Sequence, residues 1–286
     1  MKKLLFLTGS RGEWGYIRPL LQKCVAERDF EYSLCVTNMH LVPSFGLSVN
    51  EIISDGFEVK HRLHMSLDGY NNVTMAKSLS TLLASLVDVI ASDPPDWIIL
   101  AGDRGEQLMG AIVGAFCYIP IAHIQAGELS GNIDGMTRHA IGKYAHLHLA
   151  SNSDACTRLT KLGEEEFRIH NIGAPQLDDL VDGRFSTIKE IFSNTGFDAS
   201  QDFLLVVQHP VTGEFSEAEA QVSQVFSALN KFPQPKVVIL PNNDAGSSAI
   251  RKGIETQRQG EYHVFANVKR SDYLGLLSTT ICLVGN

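Results

Sequence analysis

Short apolar runs alternate with longer amphipathic stretches through the first part of the chain. Runs rich in apolar residues and of strand length are typical of a parallel sheet that is covered on both faces. Such runs occupy residues 3–8, 32–37, 97–101, 119–124 and 146–150. Apolar residues at helical spacing predict helices over residues 16–26, 49–54, 75–91, 106–116 and 137–144. Strands that alternate with helices in this way indicate βαβ units.

A second series of the same kind follows Pro175. It predicts strands over residues 203–207, 236–240, 262–265 and 281–284, and helices over residues 221–230, 247–255 and 271–277. The stretch 173–187 between the two series contains Pro175, Gly183 and several aspartates, so we place the domain boundary there, giving domains 1–175 and 176–286. The chain is therefore expected to be an α/β protein with two parallel-sheet domains. Ligands of such sheets bind beyond the carboxyl ends of the strands.

Composition narrows the classes of function. A length of 286 residues suits two domains, and 44% hydrophobic with 20% charged residues is typical of a soluble globular protein. A net charge of -8 argues against a nucleic-acid-binding protein. No apolar run is expected to span a membrane, so a cytoplasmic protein with no membrane partner is predicted. The five cysteines are scattered without a CxxC pair, which indicates neither a disulfide framework nor a zinc site.

The loop after the first predicted strand contains Gly9, Arg11, Gly12 and Gly15. Glycines allow the backbone to approach a ligand, and the start of the following helix favours an anion. Arg11 would add a charged fork suited to phosphate. The alternative, a glycine turn with a solvated arginine, has about equal weight on these residues alone.

Acidic residues follow two further predicted strands. Asp103 and Arg104 come directly after residues 97–101, while Glu128 and Asp134 lie on the loop system after residues 119–124. Carboxylates that converge in a cleft can take separate acid and base roles. The alternative for Asp103 is that it caps the next helix.

Histidines offer weaker signals. Arg138 and His139 are expected near the start of a helix, where His139 serves either as a proton carrier or as a structural residue. His146 and His148 share one face of a predicted strand, but no further ligands stand at metal-binding spacing. We therefore expect no metal site.

Polar loops also follow strands in the second series. Residues 208–212 read Gln-His-Pro-Val-Thr, and residues 241–247 read Pro-Asn-Asn-Asp-Ala-Gly-Ser. Such loops bind hydroxyls, amides and phosphates well. The alternative is helix capping by Asn243, Asp244 or Ser247.

These loops together resemble those of the UDP-N-acetylglucosamine 2-epimerases, particularly the hydrolysing branch of the sialic and legionaminic acid pathways. The family pattern is similar to GDR, HIxGGExSGxID and RHAI, which correspond here to residues 102–104, 123–134 and 138–141. Further matches lie at residues 8–11, 209–212, 241–242, 244–247 and 284–286. The order and spacing of the matches make the resemblance specific, and it extends over nearly the whole chain.

The resemblance implies two Rossmann-like domains in the glycosyltransferase-B arrangement and a reaction without metal, nicotinamide or flavin. UDP leaves C1 as a proton leaves C2, and water then adds to the 2-acetamidoglucal. Catalytic acid and base roles are implied for Asp103, Glu128 and Asp134, with the base not assigned among them. Substrate-binding roles are implied for Arg11, Arg104, His139, His209 and Asn242. The implied partner is a UDP-sugar, and a homodimer or homotetramer is expected.

Departures from the family pattern affect these expectations. Gln125-Ala126 and Glu13-Trp14 replace more usual pairs, and Gly135 stands where a second acid often follows Asp134. Such changes suggest an altered sugar, for instance a 4-amino-substituted one. Relatives continue beyond the residues matching Gly285-Asn286, so the second domain is expected to be incomplete in this sequence. A polypeptide that ended at Asn286 would be expected to bind UDP weakly and to have little activity. A non-hydrolysing epimerase, a glycosyltransferase of this fold and a non-catalytic nucleotide-sugar-binding protein are the alternatives.

Overall fold

The chain divides into two compact units. A computed structural model describes residues 1–27, 29–69 and 71–286. The first unit comprises Met1–Val42, Leu47–Leu67 and Ala76–Asp178. The second comprises Pro43–Gly46, Asp68–Met75 and Asp179–Asn286, so two short segments of the first half of the sequence belong to it.

A seven-stranded parallel sheet forms the first unit, with strand order β3-β2-β1-β4-β5-β6-β7. Its strands are β1 Lys2–Thr8, β2 Phe30–Thr37, β3 His61–Leu63, β4 Trp97–Ala101, β5 Ile121–Ile124, β6 Leu147–Ala150 and β7 Ile169–Asn171. The helices of this half of the sequence are α1 Arg11–Ala26, α2 Val49–Ser54, α3 Asn72–Ser92, α4 Gly105–Phe116, α5 Asn132–Tyr144, α6 Ser153–Lys161 and the short α7 Asp178–Val181.

A four-stranded parallel sheet forms the second unit, with strand order β10-β9-β8-β11. Its strands are β8 Leu204–Val207, β9 Lys236–Ile239, β10 Tyr262–Phe265 and β11 Cys282–Gly285. Its helices are α8 Ile188–Thr195, α9 Ala218–Leu229, α10 Ser247–Gln257 and α11 Arg270–Thr279. The predicted α/β class with two parallel sheets is confirmed.

Both faces of each sheet are covered, which explains the nearly continuous apolar strands. In β1, Leu4 and Phe6 pack into one core cluster, whereas Leu5 and Leu7 pack into another. Successive side chains of a strand point to opposite faces, so a strand that is covered on both faces is apolar at most positions.

Helices α1 and α5 each begin a full five residues earlier than the sequence pattern predicted. Helix α1 starts at Arg11 rather than at residue 16, because the Ser10 hydroxyl accepts from the backbone of Glu13 while the Glu13 side chain accepts from the backbone of Ser10. This capping box fixes the first turn although its outer positions lack apolar residues. Helix α5 starts at Asn132 rather than at residue 137, with Gly131 at its N-cap.

Helix α3 satisfies the length and composition of a membrane span, with mean hydropathy 1.5 over its most apolar window, of which 28% is buried. The expectation that no segment reaches that standard is therefore wrong. Leu82, Leu86 and Val89 recur at helical spacing and pack into the cores of the described chain. Core helices of soluble proteins meet the same criterion, so one such helix is weak support for a membrane.

Candidate active site

The carboxyl edge of the first sheet has a topological switch point at β1. Strand β1 lies between β2 and β4. The chain adds β2 and β3 on one side of β1 and later adds β4 to β7 on the other side. The loops that follow β1 and β4 therefore separate and leave a crevice, the usual ligand site of an open α/β sheet. The Gly9-Ser10 turn and the Gly102-Asp103-Arg104 segment both lie at this edge.

The backbone of Gly102 places Asp103 in the crevice. Gly102 has φ +83°, and its amide donates to the Ile124 carbonyl at 3.0 Å. Its carbonyl accepts from His123 Nε2 at 2.7 Å. The pKa of His123 is lowered to about 3 by burial, so this imidazole is a neutral donor that fixes the turn.

Asp103 is tethered from the next loop rather than used as a helix cap. Its Oδ2 accepts from the Ser130 hydroxyl at 2.5 Å and from Arg138 Nη2. Arg138 is 7% exposed, and its Nη1 donates to the Gln125 carbonyl at 2.5 Å. Helix α4 has Arg104 at its N-cap and no side-chain capping bond, so the capping alternative for Asp103 is wrong.

Glu128 is held on a neighbouring loop. Its Oε1 accepts from the Ser151 hydroxyl and from Asn152 Nδ2, the latter at 2.8 Å. Gly127 has φ +76°, and a Cβ there would lie 2.5 Å from the Ala155 carbonyl. The loop therefore packs directly on α6, and only glycine allows that approach.

Asp134 and His139 belong to a helix rather than to a loop. Asp134 lies in the first turn of α5, and His139 lies within the same helix; both side chains are half-buried. The expectations that Asp134 belongs to a loop and that His139 stands near a helix start are wrong, because α5 begins at Asn132.

The glycine at position 135 has a structural reason. A Cβ at Gly135 would lie 2.6 Å from the Ser130 carbonyl oxygen. An acidic side chain at this position would therefore displace Ser130, which donates to Asp103. Glycine at position 135 therefore leaves room for Ser130, and Ser130 in turn holds the Asp103 carboxylate by a hydrogen bond.

A second pair of carboxylates, which the sequence pattern did not single out, lies beneath the same edge. Glu13 Oε2 accepts from the amides of Gly9 at 2.5 Å and Ser10 at 3.1 Å. Glu106 Oε1 accepts from Asn38 Nδ2 and from Arg104 Nε, the latter at 3.5 Å. A Cβ at Gly9 would lie 2.9 Å from Glu106 Oε1, so glycine is required for this packing.

Burial dominates the electrostatics of this pair. Glu13 is 2% exposed, and burial followed by the charge of Glu106 raises its pKa to about 8, against the opposing effect of Arg104. Near neutral pH, Glu13 therefore holds a proton. The Ser10-x-x-Glu13 spacing is a capping-box pattern, which was the available signal for this residue.

The two predicted arginines both stand at helix starts. Arg11 is the first residue of α1, and Arg104 is the N-cap of α4. Each adds positive charge where backbone amides already favour an anion. The charge of Arg11 is also felt by buried His40, whose pKa is lowered to about 3, first by burial.

The switch point of the second sheet brings together His209, Asn242 and Asn286. The His209 amide donates to Asn286 Oδ1 at 2.8 Å, and Asn286 Nδ2 donates to the His209 carbonyl at 3.0 Å. The Asn242 amide donates to His209 Nδ1 at 3.4 Å. Residues that follow β8, β9 and β11 thus meet at His209, through its backbone and its imidazole.

Capping does not explain the loop before α10. The N-cap of α10 is Gly246, so none of Asn243, Asp244 and Ser247 is the N-cap residue of this helix. Asp244 Oδ2 instead accepts from Asn242 Nδ2 at 2.5 Å. Within residues 1–27, 29–69 and 71–286, no group of histidine, cysteine or acidic residues has metal-binding geometry.

Comparison with known proteins decides the family. The family model described as UDP-N-acetylglucosamine 2-epimerase matches residues 22–286. The chain belongs to this family. It is 32% identical to the UDP-N,N'-diacetylbacillosamine 2-epimerase (hydrolyzing) of Legionella pneumophila, over 100% of this chain and 76% of that protein.

Two further similarities bear on branch and fold. The GDP/UDP-N,N'-diacetylbacillosamine 2-epimerase (hydrolyzing) of Campylobacter jejuni is 27% identical over 100% of this chain and 75% of its own length. The crystal structure of UDP-GlcNAc 2-epimerase from Neisseria meningitidis bound to UDP-GlcNAc aligns with TM-score 0.80 and 16% identity, covering 99% of this chain and 77% of that chain. The fold is therefore that of the epimerase family.

Proposed function

We propose that this chain is a hydrolysing 2-epimerase of UDP-linked 2-acetamido sugars. The observation that carries the proposal is the tethered Asp103 at the switch point of the first sheet, with Glu128 fixed on the next loop. Positioned carboxylates are what removal of a weakly acidic sugar proton requires. Two relatives with hydrolysing names match the chain over its full length.

The proposed reaction has two stages. A carboxylate takes the C2 proton while the C1–O bond to UDP breaks, and C1 and C2 become doubly bonded in a 2-acetamidoglucal. Water then adds its hydroxyl to C1, and a proton returns to C2 from the opposite face. The products are UDP and the free 2-epimeric sugar, N-acetylmannosamine or its analogue, with one water consumed.

The site residues take roles that follow from their positions. Asp103, Glu128 and Asp134 form the set that supplies base and acid. Arg11 and Arg104 bring positive charge to helix starts, where anionic oxygens are stabilised. In the second unit, His209 and Asn242 are assigned to the nucleotide; His139 of α5 is assigned to substrate binding. A homodimer or homotetramer stays a prediction for sedimentation analysis.

Product analysis tests this function. The protein is incubated separately with UDP-N-acetylglucosamine and UDP-N,N'-diacetylbacillosamine, and nucleotides and sugars are followed by phosphorus and proton NMR. Free UDP with an equal amount of 2-epimeric free sugar is the expected result for at least one substrate. A UDP-linked epimer would show the non-hydrolysing reaction instead, and binding of both without turnover would favour a binding protein.

A further inference from the structure

Tyr16 of α1 lies against the backbone that carries Asp103. A Cβ added to Gly102 would be 3.3 Å from Cε2 of the Tyr16 ring, so the edge of the ring rests on the residue before Asp103. Tyr16 follows Glu13 by one helical turn and is half-buried. Helix α1 therefore presents this phenol to the same crevice as the carboxylates.

The charges around the phenol are those of the candidate site. Burial raises the pKa of Tyr16 first, and the charge of Asp103 raises it next, with Glu13 and Glu128 adding to the effect and Arg138 opposing it. The phenol consequently keeps its proton, so its hydroxyl is a hydrogen-bond donor in a crevice rich in acceptors.

The hydroxyl of Tyr16 has no hydrogen-bond partner among the described residues, unlike the hydroxyls of Tyr32 and Tyr262. The Tyr32 hydroxyl accepts from the Glu58 amide at 3.0 Å, and the Tyr262 hydroxyl donates to Asn230 Oδ1 at 2.8 Å. Across the part of the chain that the structure describes, no hydrogen bond to the Tyr16 hydroxyl is formed. Tyrosine hydroxyls in such positions usually find a partner, so this donor is available to a ligand.

We propose that Tyr16 contacts the sugar of the bound substrate and donates a hydrogen bond to one of its oxygens beside Asp103 and Glu128. The proposal rests on the function proposed above and adds a substrate-contacting residue to it. A pyranose with an acetamido group offers hydroxyl and carbonyl oxygens as acceptors, whereas free UDP lacks this sugar. We assign the contact to the sugar because the Tyr16 ring lies against Gly102, next to Asp103, which is proposed to act on that sugar.

The test is Tyr16→Phe, which removes the hydroxyl and retains the ring on Gly102. We expect kcat/KM for UDP release to fall about ten- to a hundredfold, the range for losing a hydrogen bond made to the reacting substrate. UDP affinity, measured by calorimetry, stays unchanged, and a thermal melt reports folding. Tyr32→Phe is the matched control because Tyr32 lies near the amino end of β2, away from the carboxyl edge; it retains the wild-type rate.

Wild-type kcat/KM in Tyr16→Phe would overturn the proposal. If the wild-type protein releases no UDP from either substrate, the proposed function fails, and the same variants then decide the role of Tyr16 by binding. The calorimetric affinity for UDP-N-acetylglucosamine is compared with that for UDP in wild type and Tyr16→Phe. If the gap between the two affinities is smaller in Tyr16→Phe than in wild type, contact between Tyr16 and the sugar is supported. If the gap is the same in both proteins, the proposal is overturned.

Discussion

The two sheets share a switch-point topology but carry different chemistry at it. Strand β1 lies between β2 and β4, and β8 lies between β9 and β11. The first edge holds several carboxylates paired with guanidinium groups, whereas the second holds an imidazole and amides, with the Asp244 carboxylate accepting from the side-chain amide of Asn242. Because the strand arrangement is the same, the loops and not the fold determine what each edge can do.

Burial sharpens this difference. At the first edge, Glu13 is buried beside Glu106, and the pKa of Glu13 is raised to about 8 as a result. At the second edge, the backbone amide and carbonyl of His209 bond to the side-chain amide of Asn286. The first edge therefore suits proton transfer, and the second suits recognition by hydrogen bonds.

The largest effect is expected from Asp103→Asn. The variant retains the shape of the side chain but removes the carboxylate, so kcat/KM for UDP release should fall about 10²–10⁴-fold, the usual contribution of a positioned acid or base. UDP affinity should not change. Initial rates of UDP release and calorimetry with UDP measure the two quantities.

Asp93→Asn is the matched control. Asp93 lies before β4, at the amino edge of the same sheet. Its carboxylate pairs with the ammonium group of Lys3, and its Oδ2 is 2.9 Å from Nζ of Lys60. Its loss should lower the thermal midpoint without changing the rate. An equal loss of rate in both variants would show that Asp103 acts on folding and not on chemistry.

An intermediate effect is expected on the pH dependence of stability. Folded Glu13 keeps its proton up to about pH 8, whereas an ordinary glutamate loses it near 4.5. Between these pH values the folded state therefore binds more protons than the unfolded state. The contribution of Glu13 to the free energy of unfolding is full below pH 4.5 and declines as the pH rises to about 8. We expect Glu13→Gln to remove a pH-dependent decline in the free energy of unfolding of about 5 kcal/mol, which is about 1.4 kcal/mol for each pKa unit between 4.5 and 8.

The difference between wild type and Glu13→Gln is the quantity to measure, by urea unfolding at several pH values. Buried His40 and His123 act in the opposite sense at acidic pH because burial lowers their pKa values. Glu27→Gln, an exposed change at the end of the same helix, is the control. Parallel curves for wild type and Glu13→Gln would contradict the protonated state of Glu13.

The smallest effect is expected from His209→Ala in the second unit. Loss of one imidazole contact to the nucleotide should weaken UDP binding about tenfold, which corresponds to about 1.4 kcal/mol. At saturating substrate, His209→Ala should still incorporate deuterium at C2 of the sugar at the wild-type rate. A large loss of exchange with unchanged UDP affinity would place chemistry at the second edge and break the comparison.

Much of the fold could be predicted because buried parallel strands are apolar at most positions. The strands before Asp103 and Glu128 were found in this way, and with them the edge on which the carboxylates lie. Strands β3 and β7 were missed because each has only three residues, and none of these is fully buried, so no apolar pattern marks them.

The details of the site depended on interactions that no local pattern encodes. The tether on Asp103 joins it to Ser130 and Arg138, which lie far along the sequence. The pairing of Glu13 with Glu106 joins α1 to α4 through the fold. The sequence pattern predicts Tyr16 as the first residue of a helix, and only the earlier start at Arg11 places its phenol one turn beyond Glu13.

The central claim is that carboxylates of the first unit take the proton from C2 of the sugar. It is tested most directly by running the reaction in deuterium oxide and measuring deuterium at C2 of the released sugar by mass spectrometry and NMR. One deuterium at C2 of the product from wild-type protein, with none formed by Asp103→Asn over the same time, is the predicted result. Release of UDP with C2 still carrying its original proton would contradict the account.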